Sequence, residues 1–272
     1  MTDWGRSTAV ITGAGQGMGR GLALSALAMG GDVVAWDIGQ ELLDTLAAEA
    51  ELLPGSLRTQ RVDVSDREQV AAAAAATGRI DILVNNAGVT SHDHLLHEAP
   101  QAIERVMGVN TMALFWTTQA FLDQFVDRDS GHLVTVASAA GFVPLADAVA
   151  YTASKHAAVG FHRALRQELR SSAPGVQTTL VAPFFVGTGM FDGVSSRFPW
   201  LLPVVAEQDA VDAIVSAVDR DRTSVTMPPL ANLAYLFSAL PTGVTDLLLD
   251  KIGINASMSG FRGRQDRPTV DR

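Results

Sequence analysis

Short runs of β-branched residues alternate with longer helical patterns along most of this chain, and this alternation limits its fold more than any other feature. The runs are nearly all apolar, as in ILVNN at 82–86, LVTVA at 133–137 and TTLVA at 178–182. Strands of this kind are typical of a parallel sheet that is covered on both faces. Strands that alternate with helices indicate βαβ units. We therefore predict a doubly wound α/β fold with a parallel, seven-stranded sheet.

No linker or repeat interrupts the 272 residues, so we predict one domain, 1–272, with a C-terminal helical extension. A substrate loop is predicted at about 184–206 and a helical segment at about 228–260. The third helix is predicted to begin after Ser65 as its N-cap. The predicted strands are Thr8–Thr12, Asp32–Asp37, Leu57–Val64, Ile80–Asn85, Gly131–Ala137, Gln177–Ala182 and Ser224–Met227. The predicted helices are Gly17–Met29, Glu41–Leu53, Asp66–Ala76, Pro100–Val126, Ala150–Ser171 and Glu207–Val218.

The composition excludes several classes of protein. A hydrophobic fraction of 47% with 18% charged residues supplies a large core and argues against a disordered chain. A net charge of −9 argues against a broad nucleic-acid surface. The chain has no cysteine, so disulfides and thiolate chemistry are excluded. We find neither a signal peptide nor an apolar run long enough to span a membrane, and therefore predict a cytoplasmic protein.

Four glycines at the junction of the first predicted strand and the first predicted helix indicate a nucleotide site. They lie in the run Gly13-Ala14-Gly15-Gln16-Gly17-Met18-Gly19. Glycines let the backbone approach a pyrophosphate closely, and the N-terminus of a helix favours its negative charge. We assign the fold to the Rossmann type and predict that the dinucleotide is bound by Gly13, Gln16, Gly17, Met18 and Gly19.

Asp37 ends the second predicted strand, 20 residues after Gly17. A carboxylate at this point accepts hydrogen bonds from the hydroxyls of the adenosine ribose and repels a 2′-phosphate. The neighbouring Trp36 and Ile38 supply no cation that would bind such a phosphate. The sequence therefore predicts NAD rather than NADP as the cofactor.

Tyr151 and Lys155 are four residues apart within a helical pattern, so they lie on one face of the helix. A tyrosine is a weak base at neutral pH, because its ordinary pKa is about 10. A nearby ammonium group and a positively charged nicotinamide ring favour the tyrosinate. Such a tyrosine exchanges a proton with an alcohol oxygen while a hydride moves to or from the cofactor.

Four motifs in this order resemble those of the short-chain dehydrogenases/reductases. They are Thr12-Gly13-xxx-Gly17-x-Gly19, Asn85-Asn86-Ala87-Gly88, Ser138 placed thirteen residues before Tyr151, and Tyr151-xxx-Lys155. The resemblance covers Thr8 to about Met190. A looser resemblance to the retinol and 17β-hydroxysteroid dehydrogenase branch rests on PFFVGTGMF at 183–191, Leu240-Pro241 and Phe261-Arg262-Gly263-Arg264.

The resemblance implies a role for each motif. Ser138 is expected to polarise the substrate oxygen, Tyr151 to act as general acid and base, and Lys155 to bind the nicotinamide ribose and bias Tyr151. Asn110 is expected to hold a water molecule in the proton relay. The family also implies a homodimer or homotetramer packed through its fourth and fifth helices. The other implied cofactor contacts are Asp63 and Val64 at the adenine and Asn86, Ala87 and Gly88 at the ribose side.

One segment departs from the family pattern. After the sixth strand the family usually has Pro-Gly, whereas this chain reads Pro183-Phe184-Phe185-Val186-Gly187-Thr188. We predict that Pro183 lies at the cofactor, that Thr188 binds the nicotinamide carboxamide and that Val186 binds it through its backbone.

The predicted wall of the substrate site is apolar, which favours a neutral, lipophilic alcohol or ketone. Core packing or a subunit contact is the alternative explanation for these residues. Arg197 is the only basic residue between Ala182 and Ala206. The predicted wall consists of Phe142, Val143, Pro144, Leu145, Phe184, Phe185, Met190, Phe191, Phe198, Trp200, Leu201 and Leu202.

His92, His94 and His97 form the pattern H-x-H-x-x-H after the fourth strand. Imidazoles bind zinc or nickel, but no single helix face holds all three and no cysteine or acid completes a site. We predict no metal here and a solvent-exposed loop, with contact of one histidine at the substrate mouth left open. His132, His156 and His162 are predicted to be structural.

These observations predict an NAD-dependent oxidoreductase that interconverts a lipophilic alcohol and its ketone or aldehyde. One alternative is an NADPH-dependent 3-oxoacyl-thioester reductase, against which Asp37 and the lack of a basic patch argue. A second is a dinucleotide-binding regulator without turnover, against which the set Ser138, Tyr151 and Lys155 argues. Only Lys251 is basic in the late helical segment, so a lid or subunit contact is favoured there over a membrane surface.

Overall fold

Seven parallel strands form one sheet in the computed structural model, which describes residues 1–193, 203–228, 240–254 and 261. In chain order the strands are β1 (Thr8–Thr12), β2 (Asp32–Asp37), β3 (Leu57–Arg61), β4 (Ile82–Asn85), β5 (Gly131–Val136), β6 (Val176–Pro183) and β7 (Ser224–Met227). Their order across the sheet is β3-β2-β1-β4-β5-β6-β7. This confirms the predicted doubly wound α/β architecture.

Helices cover both faces of the sheet. They are α1 (Gly17–Ala28), α2 (Gln40–Ala50), α3 (Arg67–Thr77), α4 (Pro100–Met107), α5 (Ala113–Arg128), α6 (Val149–Ser172), α7 (Glu207–Asp219) and α8 (Thr242–Ile252). In β1, Ile11 packs against α1 and α7, whereas its neighbour Val10 packs on the opposite face against α3 and α5. Alternate residues of the strands are thus buried on opposite faces, which explains why the strands are apolar throughout.

The order of the strands reverses between β1 and β4. β1 continues to β2 on one side, while β4 continues to β5 on the other. Thr12 joins the two strand ends, since its hydroxyl accepts hydrogen bonds from the amides of Asn86 and Ala87, both at 3.0 Å. A crevice outside the carboxyl ends of the strands at such a reversal is where doubly wound sheets bind ligands.

Most predicted ends agree with the structure within two residues, but three predictions need correction. The third strand ends at Arg61 rather than Val64, because its partner strand β2 ends at Asp37, which pairs with Arg61. Asp66 rather than Ser65 caps α3, because the Asp66 carboxylate accepts from the amides of Glu68 and Gln69.

The third correction concerns the long helix predicted over Pro100–Val126. The chain stays helical there, but a π-helical turn at Gly108–Met112 separates α4 from α5. Single π turns of this kind occur often at functional sites.

Two predicted segments lie partly outside the described residues. These are the substrate loop of about 184–206 and the C-terminal segment of about 228–260, of which α8 is described. Phe198, Trp200, Leu201 and Leu202 of the predicted wall also lie outside. Among the helices that the structure describes, none is both long and apolar enough to cross a bilayer.

Candidate active site

The junction of β1 and α1 has no room for side chains at two of its glycines. Gly13 has φ of +65°, and a Cβ atom there would lie 2.9 Å from the Cα atom of Ala87. A Cβ atom on Gly19 would lie 2.1 Å from the carbonyl oxygen of Gly13. Gly19 therefore closes the loop from behind, while Gly13 brings the backbone against the end of β4.

The N-terminus of α1 opens towards this loop. Gln16 is the N-cap residue, and its side chain makes no capping hydrogen bond. The first turn holds no acidic residue, so nothing in it opposes an anion. Gly17 has φ of +55°, and Thr188 lies beside it, 3.2 Å from the position of a Cβ atom. The loop after β6 thus folds over the glycine loop.

Asp37 stands at the carboxyl end of β2 and is 6% exposed. One carboxylate oxygen accepts from the amide of Gly15 at 2.9 Å, and the other accepts from the amide of Gly39 at 2.9 Å. A Cβ atom on Gly15 would lie 3.0 Å from the carboxyl carbon of Asp37. The glycine loop and the carboxylate are therefore fixed to one another, with the negative charge at the edge of the crevice.

Tyr151, Lys155 and Ser138 meet at the carboxyl end of β5. The two residues from α6 lie one turn apart, with Nζ of Lys155 5.8 Å from the centre of the Tyr151 ring. Lys155 Nζ donates a hydrogen bond to the carbonyl oxygen of Val136 at 3.2 Å. The Ser138 hydroxyl lies close enough to the Tyr151 phenol to favour its deprotonated form. Ser138 is also fixed by the amide of Ala140, which donates to its hydroxyl at 3.1 Å.

Burial shifts the pKa values of both α6 residues. It raises the pKa of Tyr151 to about 12, although the hydrogen bond from Ser138 acts in the opposite direction. It lowers the pKa of Lys155 to about 8. In each case the low-dielectric surroundings disfavour the charged form. At neutral pH the phenol is therefore protonated, and Lys155 still carries most of its charge.

Asn110 lies in the π-helical turn and is buried behind the crevice. Its side-chain oxygen accepts from the amide of Val89 at 2.8 Å, and its side-chain nitrogen donates to the carbonyl oxygen of Val89 at 2.8 Å. The same nitrogen donates to the hydroxyl of Ser154 at 3.0 Å, which in turn donates to the carbonyl oxygen of Tyr151 at 2.7 Å. Asn110 thus connects the segment after β4 to the turn of α6 that carries Tyr151.

A single crevice brings together nearly all of the residues that the sequence indicated. The members that line it are Gly13, Gln16, Gly17, Met18, Asp37, Asp63, Val64, Asn86, Ala87, Gly88, Ser138, Tyr151, Lys155, Pro183, Val186 and Thr188. Gly19 and Asn110 are not among the lining residues and support the crevice from behind. The glycine geometry and the open helix N-terminus fit a dinucleotide.

Sequence reasoning missed several lining residues. Val89, Val109 and Val136 lie between the predicted motifs, and Ile38 and Arg105 line the crevice from exposed positions. Ile38 follows Asp37 directly, so the prediction of the second strand could have identified it as a lining residue. No sequence pattern pointed to Arg105, because only the packing of α4 beside the crevice places it there.

Part of the predicted substrate wall forms one apolar cluster with Tyr151. Phe191 contacts the Tyr151 ring with centroids 5.7 Å apart and the Phe185 ring at 5.4 Å. Phe142, Val143, Leu145 and Phe184 belong to the same cluster, whereas Met190 lines the crevice. Pro144 is exposed and does not belong to this cluster.

The histidines divide into two environments. His94 and His97 are exposed, whereas the ring of His92 lies 4.9 Å from that of Phe261. The described part of the chain holds no group of three side chains suited to a metal ion. His132 and His162 are buried, and burial lowers the pKa of each to about 4.

Comparison with known proteins agrees with this site. The family model "short chain dehydrogenase" matches residues 7–197. Estradiol 17-beta-dehydrogenase 11 of Pongo abelii is 38% identical over 260 residues, which cover 93% of this chain and 86% of the relative. Epidermal retinol dehydrogenase 2 of Homo sapiens is 37% identical over 263 residues, covering 93% and 84%. The chain therefore belongs to the short-chain dehydrogenase family and is an oxidoreductase of that family.

A solved structure extends the likeness over nearly the whole chain. The short-chain dehydrogenase from Sphingobium yanoikuyae, in complex with NADPH, is 26% identical with a TM-score of 0.76. The match covers 97% of this chain and 99% of that protein.

Proposed function

We propose that this protein is an NAD-dependent dehydrogenase that interconverts a lipophilic alcohol and its ketone or aldehyde, with Tyr151 as general acid and base. The observation that carries the proposal is one crevice lined by the glycine loop, Asp37 and the trio Ser138, Tyr151 and Lys155. Its two ends supply what each half of the reaction needs. The glycine end has an open helix N-terminus for a pyrophosphate, and the other end has hydroxyl groups for a reacting oxygen.

The bound nicotinamide cofactor supplies the hydride or accepts it. The chain's own residues handle the proton. In reduction, the Tyr151 hydroxyl donates its proton to the oxygen of the carbonyl group, and Ser138 donates a hydrogen bond to the same oxygen. A phenol with a pKa of about 12 is fully protonated at neutral pH and ready for this step.

In oxidation, Tyr151 must first lose its proton, and burial opposes this loss. A positive charge near the phenol favours the phenolate and lowers its pKa. The Lys155 ammonium group, 5.8 Å from the ring centre, is the residue that supplies such a charge. Asn110 contributes by fixing the turn of α6 that holds Tyr151 through Ser154.

The preference for NAD rests on Asp37. Its carboxylate is fixed by the amides of Gly15 and Gly39 and cannot rotate away without breaking both hydrogen bonds. A 2′-phosphate placed next to it would meet an unneutralised negative charge. The relative from Sphingobium yanoikuyae was solved with NADPH, so the test of this preference is made on the present chain itself.

The lipophilic substrate is supported by the cluster of Phe185, Phe191 and Tyr151, which offers aromatic surface directly at the phenol. Relatives named for retinol and estradiol have the same apolar character in their substrates. The homo-oligomeric state and the cytoplasmic location stay predictions.

The test of the proposed chemistry is Tyr151→Phe. We expect the loss of one hydroxyl to reduce kcat by at least about 100-fold, the contribution of a positioned acid and base. The Kd for NAD, measured by calorimetry, is expected to change little. His156→Gln, at an exposed position of the same helix, serves as the control. Equal turnover of Tyr151→Phe and the wild-type protein would contradict the proposal.

A further inference from the structure

Arg105 carries a charge at the crevice that the proposed reaction does not use. Among the described residues, four charged side chains line the crevice: Asp37, Asp63, Lys155 and Arg105. The first three are held by hydrogen bonds, since Asp63 accepts from the amide and the hydroxyl of Ser65 at 2.9 and 2.6 Å. The guanidinium of Arg105 makes no hydrogen bond or ion pair with any residue in the described ranges. Arg105 is therefore a cation at the crevice without an internal partner.

The position of Arg105 along the crevice follows from the packing of its helical segment. Arg105 and Val109 both line the crevice, and Gly108 between them lies against the loop after β3. A Cβ atom on Gly108 would lie 3.4 Å from the Cβ atom of Ser65. The strand β3 pairs with β2, which ends at Asp37. Arg105 thus belongs to the end of the crevice that the loops after β2 and β3 form.

Ile38 lines the same end from the other side of the sheet. It is 53% exposed, and its carbonyl oxygen accepts a hydrogen bond from Nε of Arg61 at 3.1 Å. Ile38 leads into α2, whose buried residues pack together with α1. Val109, next to Arg105, packs instead with α3 and α5 on the opposite face. A ligand between the two walls would have an apolar side chain on one side and a guanidinium on the other.

A flat heteroaromatic ring is the chemical group that suits both walls. A guanidinium is planar and weakly hydrated, so it stacks on aromatic faces and is attracted by their π electrons. An aliphatic side chain packs against the other face of such a ring. A phosphate would also attract the guanidinium, but at this end it would meet the carboxylates of Asp37 and Asp63.

We propose that Arg105 stacks its guanidinium on the adenine ring of the cofactor, with Ile38 against the opposite face of the ring. The inference rests on the proposed function, because Asp37 is taken to bind the ribose of the adenosine half and so places the base at this end. Arg105 is then a cofactor-binding residue that recognises the base and takes no part in proton transfer. It contributes equally to the binding of NAD and NADP, since both carry adenine.

Adenosine, which has the base but no phosphate, is the sharpest probe of this contact. We expect Arg105→Ala to raise the Kd for NAD and the Kd for adenosine by the same factor of about 5, the value of one cation over a ring at a partly exposed site. The Kd for NAD is measured by calorimetry, and that for adenosine by its displacement of fluorescent NADH. Arg105→Lys keeps the charge but loses the flat surface and should restore little of the affinity. Arg105→Tyr returns a flat surface and should restore most of it.

Arg170→Ala is the matched control. It removes the same charge from an exposed position of α6 that does not line the crevice, so both Kd values should equal those of the wild-type protein. If Arg105→Ala weakens the binding of NAD and of 2′,5′-ADP but not that of adenosine, Arg105 binds a phosphate and the proposed stacking is wrong. Unchanged Kd values for NAD and adenosine in Arg105→Ala also overturn it.

These binding measurements need no substrate, which separates the inference from the proposed function. If NAD and adenosine weaken together in Arg105→Ala while Tyr151→Phe keeps wild-type turnover, the role of Arg105 stands and the proposed chemistry fails. If NAD supports turnover but its Kd is the same in Arg105→Ala and the wild-type protein, the proposed function stands and the role of Arg105 is wrong. If the wild-type protein binds neither NAD nor adenosine, both are wrong.

Discussion

Replacing Asp37 by Asn removes the charge that we hold responsible for the cofactor preference and keeps the shape of the side chain. The carboxylate accepts from two backbone amides, each at 2.9 Å. An asparagine has only one oxygen, so its amide nitrogen must face one of the two N–H groups. We expect this mismatch to lower the free energy of unfolding by about 1–3 kcal/mol.

The effect on specificity follows from Coulomb's law. Two unit charges about 4 Å apart interact by about 4 kcal/mol at an effective dielectric constant of about 20. Solvent and salt weaken this interaction near a crevice edge. We therefore expect Asp37→Asn to shift the ratio of kcat/KM for NAD to that for NADP by at least about 100-fold towards NADP, equivalent to about 3 kcal/mol.

The assay is initial-rate kinetics with each cofactor at fixed alcohol concentration and low ionic strength. Asp32→Asn is the control, because Asp32 lies at the other end of β2 and is exposed. Its cofactor ratio should match that of the wild-type protein. A wild-type preference for NADP, or an unchanged ratio in Asp37→Asn, would refute the reasoning.

Two further predictions concern the loop and the core. Gly19→Ala places a Cβ atom 2.1 Å from the Gly13 carbonyl oxygen. We therefore expect the Kd for NAD, measured by calorimetry, to rise by at least about 10-fold. An unchanged Kd would contradict the assignment of this loop as the binding element. His132 and His162 have pKa values lowered from 6.5 to about 4, so their stabilising contribution is complete above pH 6.5 and is lost as the pH falls towards 4. Protonation of each histidine should lower the free energy of unfolding by up to about 3 kcal/mol over that range, measured by urea unfolding. His162→Leu should flatten the pH dependence of the free energy of unfolding, whereas His156→Gln, at an exposed position, should not. Equal pH dependence in the two variants would contradict the assignment of this effect to the buried histidine.

The glycine loop was predictable from the sequence because its function depends on backbone shape. Only glycine adopts φ of +65° at Gly13 without strain and leaves space for the end of β4. The strands were predictable for a similar reason, since burial on both faces leaves apolar runs that local patterns reveal. Tyr151 and Lys155 were predictable because helical spacing alone places them on one face.

Other parts of the site depend on packing that no local pattern encodes. The π-helical turn at Asn110 interrupts a sequence that reads as one continuous helix. The cap at Asp66 rather than Ser65 depended on which of two adjacent polar side chains turned towards the helix. The contact of His92 with Phe261 joins residues far apart in the chain, so only the tertiary structure reveals it.

Titration of the Tyr151 phenol tests the central claim most directly. The chain has two tyrosines, Tyr151 and Tyr235, so Tyr235→Phe leaves Tyr151 as the only source of tyrosinate absorbance. In the free protein we expect a pKa of about 12. Saturating NAD⁺ should lower this pKa by about 1–3 units, because it adds a positive charge beside the phenol. Titration curves that coincide with and without saturating NAD⁺ would contradict a shared pocket for the phenol and the nicotinamide.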